Sequence, residues 1–154
     1  MDLRHAGDRV RHSRRSGTGG DKCYSLWDSY VHADLVTYPS YWEGWGNQFI
    51  EAVFAKLPVV VFEYPVWKTD LGPAGFEVIS LGDVLGPRDR RGLVTLPSAA
   101  LARAADQACA VLKDEGRRRE MAERNYRIGA DRFSLEALEA MVGALLAEAG
   151  LGRS

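Results

Sequence analysis

The sequence predicts an α/β fold: a small parallel sheet flanked by helices, followed by a helical C-terminal segment. Three observations carry this. Leu35-Val36-Thr37-Tyr38 is β-rich and stops at Pro39-Ser40; Val59-Val60-Val61-Phe62 is apolar at every position; and an amphipathic stretch lies between them. A strand with no polar alternation is one covered on both faces, as parallel strands are. Strand, helix and strand over 35–62 therefore form one βαβ unit, right-handed as nearly all such crossovers are.

The elements follow in order. Residues 1–21 carry Arg4, Arg9, Arg11, Arg14 and Arg15 among Gly, Ser and Asp with almost no apolar residue. Such a stretch cannot bury enough surface to offset its ordering entropy, so composition predicts a mobile basic tail and places one ordered domain over 22–150. Tyr24, Trp27, Tyr30 and Val31 recur at helical spacing and predict a helix over 22–33. After the 35–38 strand come two loop glycines, Gly44 and Gly46. Asn47 is the expected cap of a helix running through Phe49, Ile50, Val53 and Phe54 to Lys56, closed by Pro58. A further short strand fits Glu77-Val78-Ile79-Ser80. Beyond it the chain reads as helix. Leu101, Ala105, Ala108 and Leu112 form one stripe after Ser98 as the cap, and a charged helix spans about 117–131. A last helix starts at Ser134, with Phe133 and Leu138 at hydrophobic-staple positions and Leu135, Leu138, Val142 and Leu145 as its inner face. A free-standing Rossmann-like sheet has about five or six strands. With three, this chain reads as a partial one, the second half of such a domain.

Composition sets the outer limits. The chain has 154 residues, enough for one compact core. Its net charge of −1 gives no global field toward nucleic acid or an anionic membrane. No run approaches the roughly 18 consecutive apolar residues of a membrane span. The polar, basic N-terminus has no apolar segment behind it, so no signal peptide is expected. Cys23 and Cys109 make no metal-ligand spacing with His5, His12 and His32, and fit reduced thiols of a cytoplasmic protein.

The segment that carries chemistry is Tyr41-Trp42-Glu43-Gly44-Trp45-Gly46-Asn47-Gln48-Phe49-Ile50-Glu51. It follows a parallel strand and opens a helix, and open α/β sheets bind ligands in that crevice. Glycines there let backbone approach a ligand, and helix N-terminal amides attract phosphate oxygens. Glu43 and Glu51 bracket the turn. Carboxylates repel phosphate but accept strongly from sugar hydroxyls. A nucleotide diphosphate joined to a sugar presents both demands, although other ligands also fit. Trp42 and Trp45 suit core or rim packing, or stacking on a sugar or base. Tyr64, Trp67, Lys68 and Asp70 lie after the second strand, again at the ligand end, where an ordinary structural loop is the plainer expectation.

The Glu-x7-Glu pattern at Glu43 and Glu51, with Gly44, Gly46 and Asn47 between, resembles the donor-site motif of family-4 retaining glycosyltransferases of the GT-B fold. Its surroundings are similar too: Ala33-Asp34-Leu35-Val36-Thr37-Tyr38-Pro39-Ser40 before it, and Glu51-Ala52-Val53-Phe54 and Leu57-Pro58-Val59-Val60-Val61 after it. Asn125-Tyr126 and Phe133-Ser134-Leu135-Glu136 resemble that group's C-terminal helices, so the likeness covers roughly 24–148. The resemblance implies the second half of a GT-B C-terminal domain. It implies that Glu43 is the catalytic-site carboxylate holding donor-sugar hydroxyls, and that backbone amides of Gly44, Trp45, Gly46 and Asn47 contact sugar and diphosphate. Glu51 would accept from the nucleotide's ribose. It further implies glycosyl transfer with retention and no cofactor beyond the nucleotide-sugar donor; the sequence names no metal ligand and leaves the acceptor and any metal requirement open.

The family's N-terminal acceptor-binding domain and its diphosphate-gripping Arg/Lys pair have no counterpart in this sequence. A cleft lacking one wall neither excludes water nor positions two substrates, so weak or no transfer is expected of this chain alone, and an acceptor domain or partner chain is implied. Two other readings stand beside the first: a non-catalytic nucleotide-sugar-binding fragment, and another GT-B-shaped enzyme such as a nucleotide-sugar epimerase.

Overall fold

A computed structural model describes residues 10–11, 13–16 and 22–151. It divides the chain into two units, Met1–Asp34 and Leu35–Ser154.

In the first unit, β1 (Val10–Arg11) runs parallel to β3 (Lys22–Ser25) and β2 (Arg15–Ser16) runs antiparallel to it. A short α1 (Leu26–Tyr30) follows. The helix expected over 22–33 is therefore corrected: its first four residues are strand. The helical spacing of Tyr24 with Trp27 is genuine, but the 22–25 backbone has ladder partners on both sides, and hydrogen-bonded pairing overrides a weak local periodicity. Asp28 ends the ambiguity. Its carboxylate accepts from the backbone N–H of Ser25 at 2.8 Å, fixing the first turn, and pairs with Arg14. The rest of the basic tail lies outside the described residues.

The second unit is built on a three-stranded parallel sheet in the order β4 (Val36–Tyr38), β5 (Val59–Val61), β6 (Ile79–Ser80). The apolar run is the central strand and all three of its residues are buried, as expected of a strand covered on both faces. Helix α2 (Asn47–Phe54) joins β4 to β5 and packs on both. Its last turn closes with the Lys56 and Leu57 amides donating to the Val53 and Ala52 carbonyls, and Lys56 takes the left-handed conformation that glycine usually supplies. Its ammonium then lies 4.5 Å from the Tyr126 ring centroid and 2.7 Å from a Glu123 oxygen.

Three helices complete the unit: α3 (Ser98–Lys113), α4 (Glu115–Phe133) and α5 (Leu135–Glu148). Two expected faces are corrected. Helix α3 buries Ala100, Ala104 and Val111, while Leu101 and Leu112 are exposed. Its cap position is Pro97, with Ser98 already helical. Helix α5 buries none of its residues, and Leu135, Leu138, Val142 and Leu145 all face solvent. The buried helix is the charged one: α4 lays Met121, Ala122, Asn125 and Gly129 inward and packs against α2. Gly129 permits that approach, since a Cβ there would stand 2.8 Å from Val53 Cγ1. Asn125, fully buried, accepts from the Glu77 N–H at 2.8 Å and donates to the Glu77 carbonyl at 2.7 Å. It ties α4 to the strand entering β6 as a neighbouring strand would. Among the described residues no helix is long and apolar enough to cross a membrane.

Candidate functional site

Because the three strands are parallel, their C-terminal ends lie along one edge of the sheet. Tyr38 ends β4, Glu63 and Tyr64 follow β5, and Ser80 ends β6. The loop 39–46 leaves this edge and returns as α2. The cap of that helix is Gly46, where the sequence suggested Asn47. Gly46 has φ 126°, a conformation L side chains rarely adopt, and its carbonyl accepts from the Phe49 and Ile50 amides at 3.0 and 3.2 Å. Its position is also tight: a Cβ there would collide with the Tyr64 hydroxyl and stand 3.2 Å from Leu71 Cδ1. Gly44 is the opposite case, with open space where its side chain would be. The first amides of a helix have no intrahelical acceptor, so those of Asn47 and Gln48 begin a positively polarised end at the sheet edge.

Two tyrosines support this turn from below, Tyr38 at the end of β4 and Tyr64 just after β5. The Tyr64 hydroxyl donates to the Trp45 carbonyl at 2.8 Å, and the Tyr38 and Tyr64 rings meet edge to face at 6.1 Å. The Tyr38 hydroxyl lies 3.3 Å from Gln48 Oε1. Glu43 interacts with both phenols. Burial pushes the Tyr38 hydroxyl well above its usual range, and a hydrogen bond to the Glu43 carboxylate pushes it further. Burial likewise raises Tyr64, to about 12, with the Glu43 charge as the next cause. Both phenols therefore remain donors across the physiological range. Glu43 itself is half-buried.

The structure thus gathers Glu43, Trp45 and Gly46 around one pair of tyrosines. Asn47 opens α2, exposed, and Glu51 lies one turn further on the same side of the helix, half-buried. The buried face of α2 is Phe49, Ala52 and Val53. Trp42 is 76% exposed and Trp45 39%, the latter packing its edge on Phe133 at 5.8 Å. Of the residues after β5, Trp67 is core, packing on Phe49 at 4.7 Å within a π-helical turn, Trp67–Leu71. Lys68 pairs with Asp83 at 3.0 Å and Asp70 is exposed. On the same edge, Ser80 Oγ donates to Glu63 at 2.5 Å and accepts from the Gly82 amide at 2.8 Å. Tyr38 was not singled out from sequence. The available signal was a phenol at the last position of a strand, one residue before a proline and five before Glu43. Among the described residues no group of three His, Cys, Asp or Glu side chains could hold a metal ion, and both cysteines are free thiols.

Comparison with known proteins adds a second line. The chain is 47% identical over 114 residues to the mannosylglucosylglycerate synthase of Thermotoga maritima, covering 74% of this chain and 26% of that protein. It is 39% identical over 129 residues to the mannosylglucosylglycerate synthase of Petrotoga mobilis, covering 84% of this chain and 28% of that protein. The chain is a relative of glycosyltransferases. It spans about a quarter of the length of the curated relatives it matches. No family model and no solved structure matches it.

Proposed function

We propose that this chain is the nucleotide-sugar-binding part of a retaining glycosyltransferase of the GT-B type. The observation that carries the reading is the placement of Glu43 and the Gly46 cap of α2 together at the C-terminal edge of a parallel sheet, the edge at which such sheets bind ligands. In this reading the α2 amides face the diphosphate, Glu43 accepts from hydroxyls of the donor sugar, and Glu51 accepts from the ribose. The glycosyl–phosphate bond breaks as the acceptor oxygen bonds to the anomeric carbon on the same face. The departing diphosphate takes the acceptor's proton, so the step draws on no group beyond the two substrates. The names of the relatives suggest the sugar: a mannosyl group, transferred to a glucosylglycerate acceptor carried in a cleft that this chain forms together with further polypeptide.

Titration of nucleotide sugars, GDP-mannose first, against the purified chain and its Glu43→Ala and Glu51→Ala variants tests this. Each loss of a charge-assisted hydrogen bond should cost about 1.5–3 kcal/mol of binding. Unchanged affinity in both variants rejects the site. Binding without transfer, even when the remaining domain is supplied, favours a non-catalytic binding role.

A further inference from the structure

Conventional donor chemistry assigns work to the glutamates and the loop amides, but leaves open what fixes a loop built from Gly44, Trp45 and Gly46. A glycine-bearing turn loses more conformational freedom on ordering than any other, so without an anchor its amides would be aimed in many directions. The anchor is visible beneath it. Tyr64 is fully buried and its hydroxyl donates to the Trp45 carbonyl at 2.8 Å, directly under Gly46, where no Cβ fits. Tyr38 stands beside it, ring edge to ring face, with its hydroxyl donating to Gln48 of the first helical turn at 3.3 Å. Tyr38 ends β4 opposite Val61 of β5, and Tyr64 lies three residues past that strand, its amide donating to the Phe62 carbonyl at 2.9 Å.

We propose that Tyr64 is a positioning residue of the donor site, setting the backbone of the Trp45–Gly46 turn. The assignment rests on the donor-site reading above and goes beyond it. Tyr64 acts on the loop backbone, which in that reading meets both diphosphate and sugar, so it acts through another group.

Phenylalanine replacements remove one oxygen each and keep the rings. The measurements are binding of GDP-mannose and of GDP, the melting temperature, and amide hydrogen exchange across the loop. Tyr64→Phe should weaken both ligands about fivefold to tenfold, the loss of one buried hydrogen bond, and speed exchange of the Trp45–Gln48 amides. Tyr38→Phe, which loses only the longer contact to Gln48, should leave both ligands within about twofold and the loop exchange unchanged. Exchange across α4 should be unaltered in both. Should GDP-mannose bind the unaltered chain and depend on Glu43, yet bind Tyr64→Phe equally well, the positioning assignment is wrong and the donor site stands. Weakened binding in Tyr64→Phe with a lowered melting temperature but unaltered exchange of the loop amides would make Tyr64 merely structural and overturn the proposal. Failure of the unaltered chain to bind any nucleotide sugar removes the donor site and this assignment together.

Discussion

Helices α4 and α5 meet at Ser134 and invert one another. The first carries ten Arg, Asp and Glu residues between Glu115 and Phe133 and is the one built into the core; the second carries six exposed Leu, Met and Val residues and lies on the surface. Their termini do not explain this, since both begin with a side-chain cap, Asp114 accepting from the Arg117 amide and Ser134 from the Ala137 amide. The difference is shape. Ala122 and Gly129 present almost no volume on the buried face of α4, so the helix comes close enough to α2 for residue 129 to have no room for a side chain. A helix is buried where its backbone can approach a neighbour, and apolar content alone does not bring it there. Most charged side chains of α4 point away from that face, and Arg117, at its edge, pairs with Glu77.

The contrast can be broken most severely at Asn125. Replacing it with alanine strips a part-buried N–H and a part-buried carbonyl of Glu77 of their partners, and each such loss costs about 1–3 kcal/mol. Chemical denaturation should show a loss of about 2–4 kcal/mol, and a loss under about 0.5 would remove the claim that α4 holds the sheet edge. Gly129→Ala comes next. The intruding methyl must displace Val53, an overpacking cost of about 1–3 kcal/mol, against which helix propensity returns roughly 1. A net destabilisation of about 1 kcal/mol is expected by the same measurement, and a stabilised variant would mean α2 and α4 are further apart than described. On α5 the effects should be small. Leu138→Gln and Leu145→Gln keep helix propensity and expose no new core, so each should shift stability by less than about 0.5 kcal/mol. A larger loss would show that this face is covered in solution.

The smallest effect concerns what does hold α5. Glu136, in its first turn, is lowered from the usual 4.5 by hydrogen bonds from its own backbone amide and from Ser134. A carboxylate depressed by folding stabilises above its unfolded value and loses that contribution on acidification through its folded value. Amide chemical shifts of residues 135–138 should therefore move below about pH 4.5 and lose that transition in Glu136→Gln, and a transition unchanged by the substitution would refute the role of Glu136.

Much of the candidate site was legible in the primary structure. Glu43, Gly44, Gly46, Asn47 and Glu51 sit within one strand–loop–helix segment, and local sequence order alone puts them at the mouth of a parallel sheet. The phenol of Tyr64 was legible only as a residue in the next strand-end loop, because its role depends on β5 lying beside β4. The Gly46 cap was misassigned to Asn47 for the same reason: a left-handed cap is demanded by the tyrosine packed against it.

In the second unit, the order of residues by itself determined the three strands, their parallel direction, helices α2 to α5 and the motif. These follow from period, apolar runs and turn residues, which act over a few positions. Which helical face became the interior was decided by tertiary structure. Leu101, Leu112, Leu135 and Leu138 were the plausible inner residues by hydrophobicity, and all four face water; Ala100, Ala104, Ala122 and Gly129 lie inside. Apolar transfer energy makes burial favourable for any leucine, but close packing admits only the surface whose shape matches its neighbour. That match is a property of two elements at once, and neither sequence segment contains it alone.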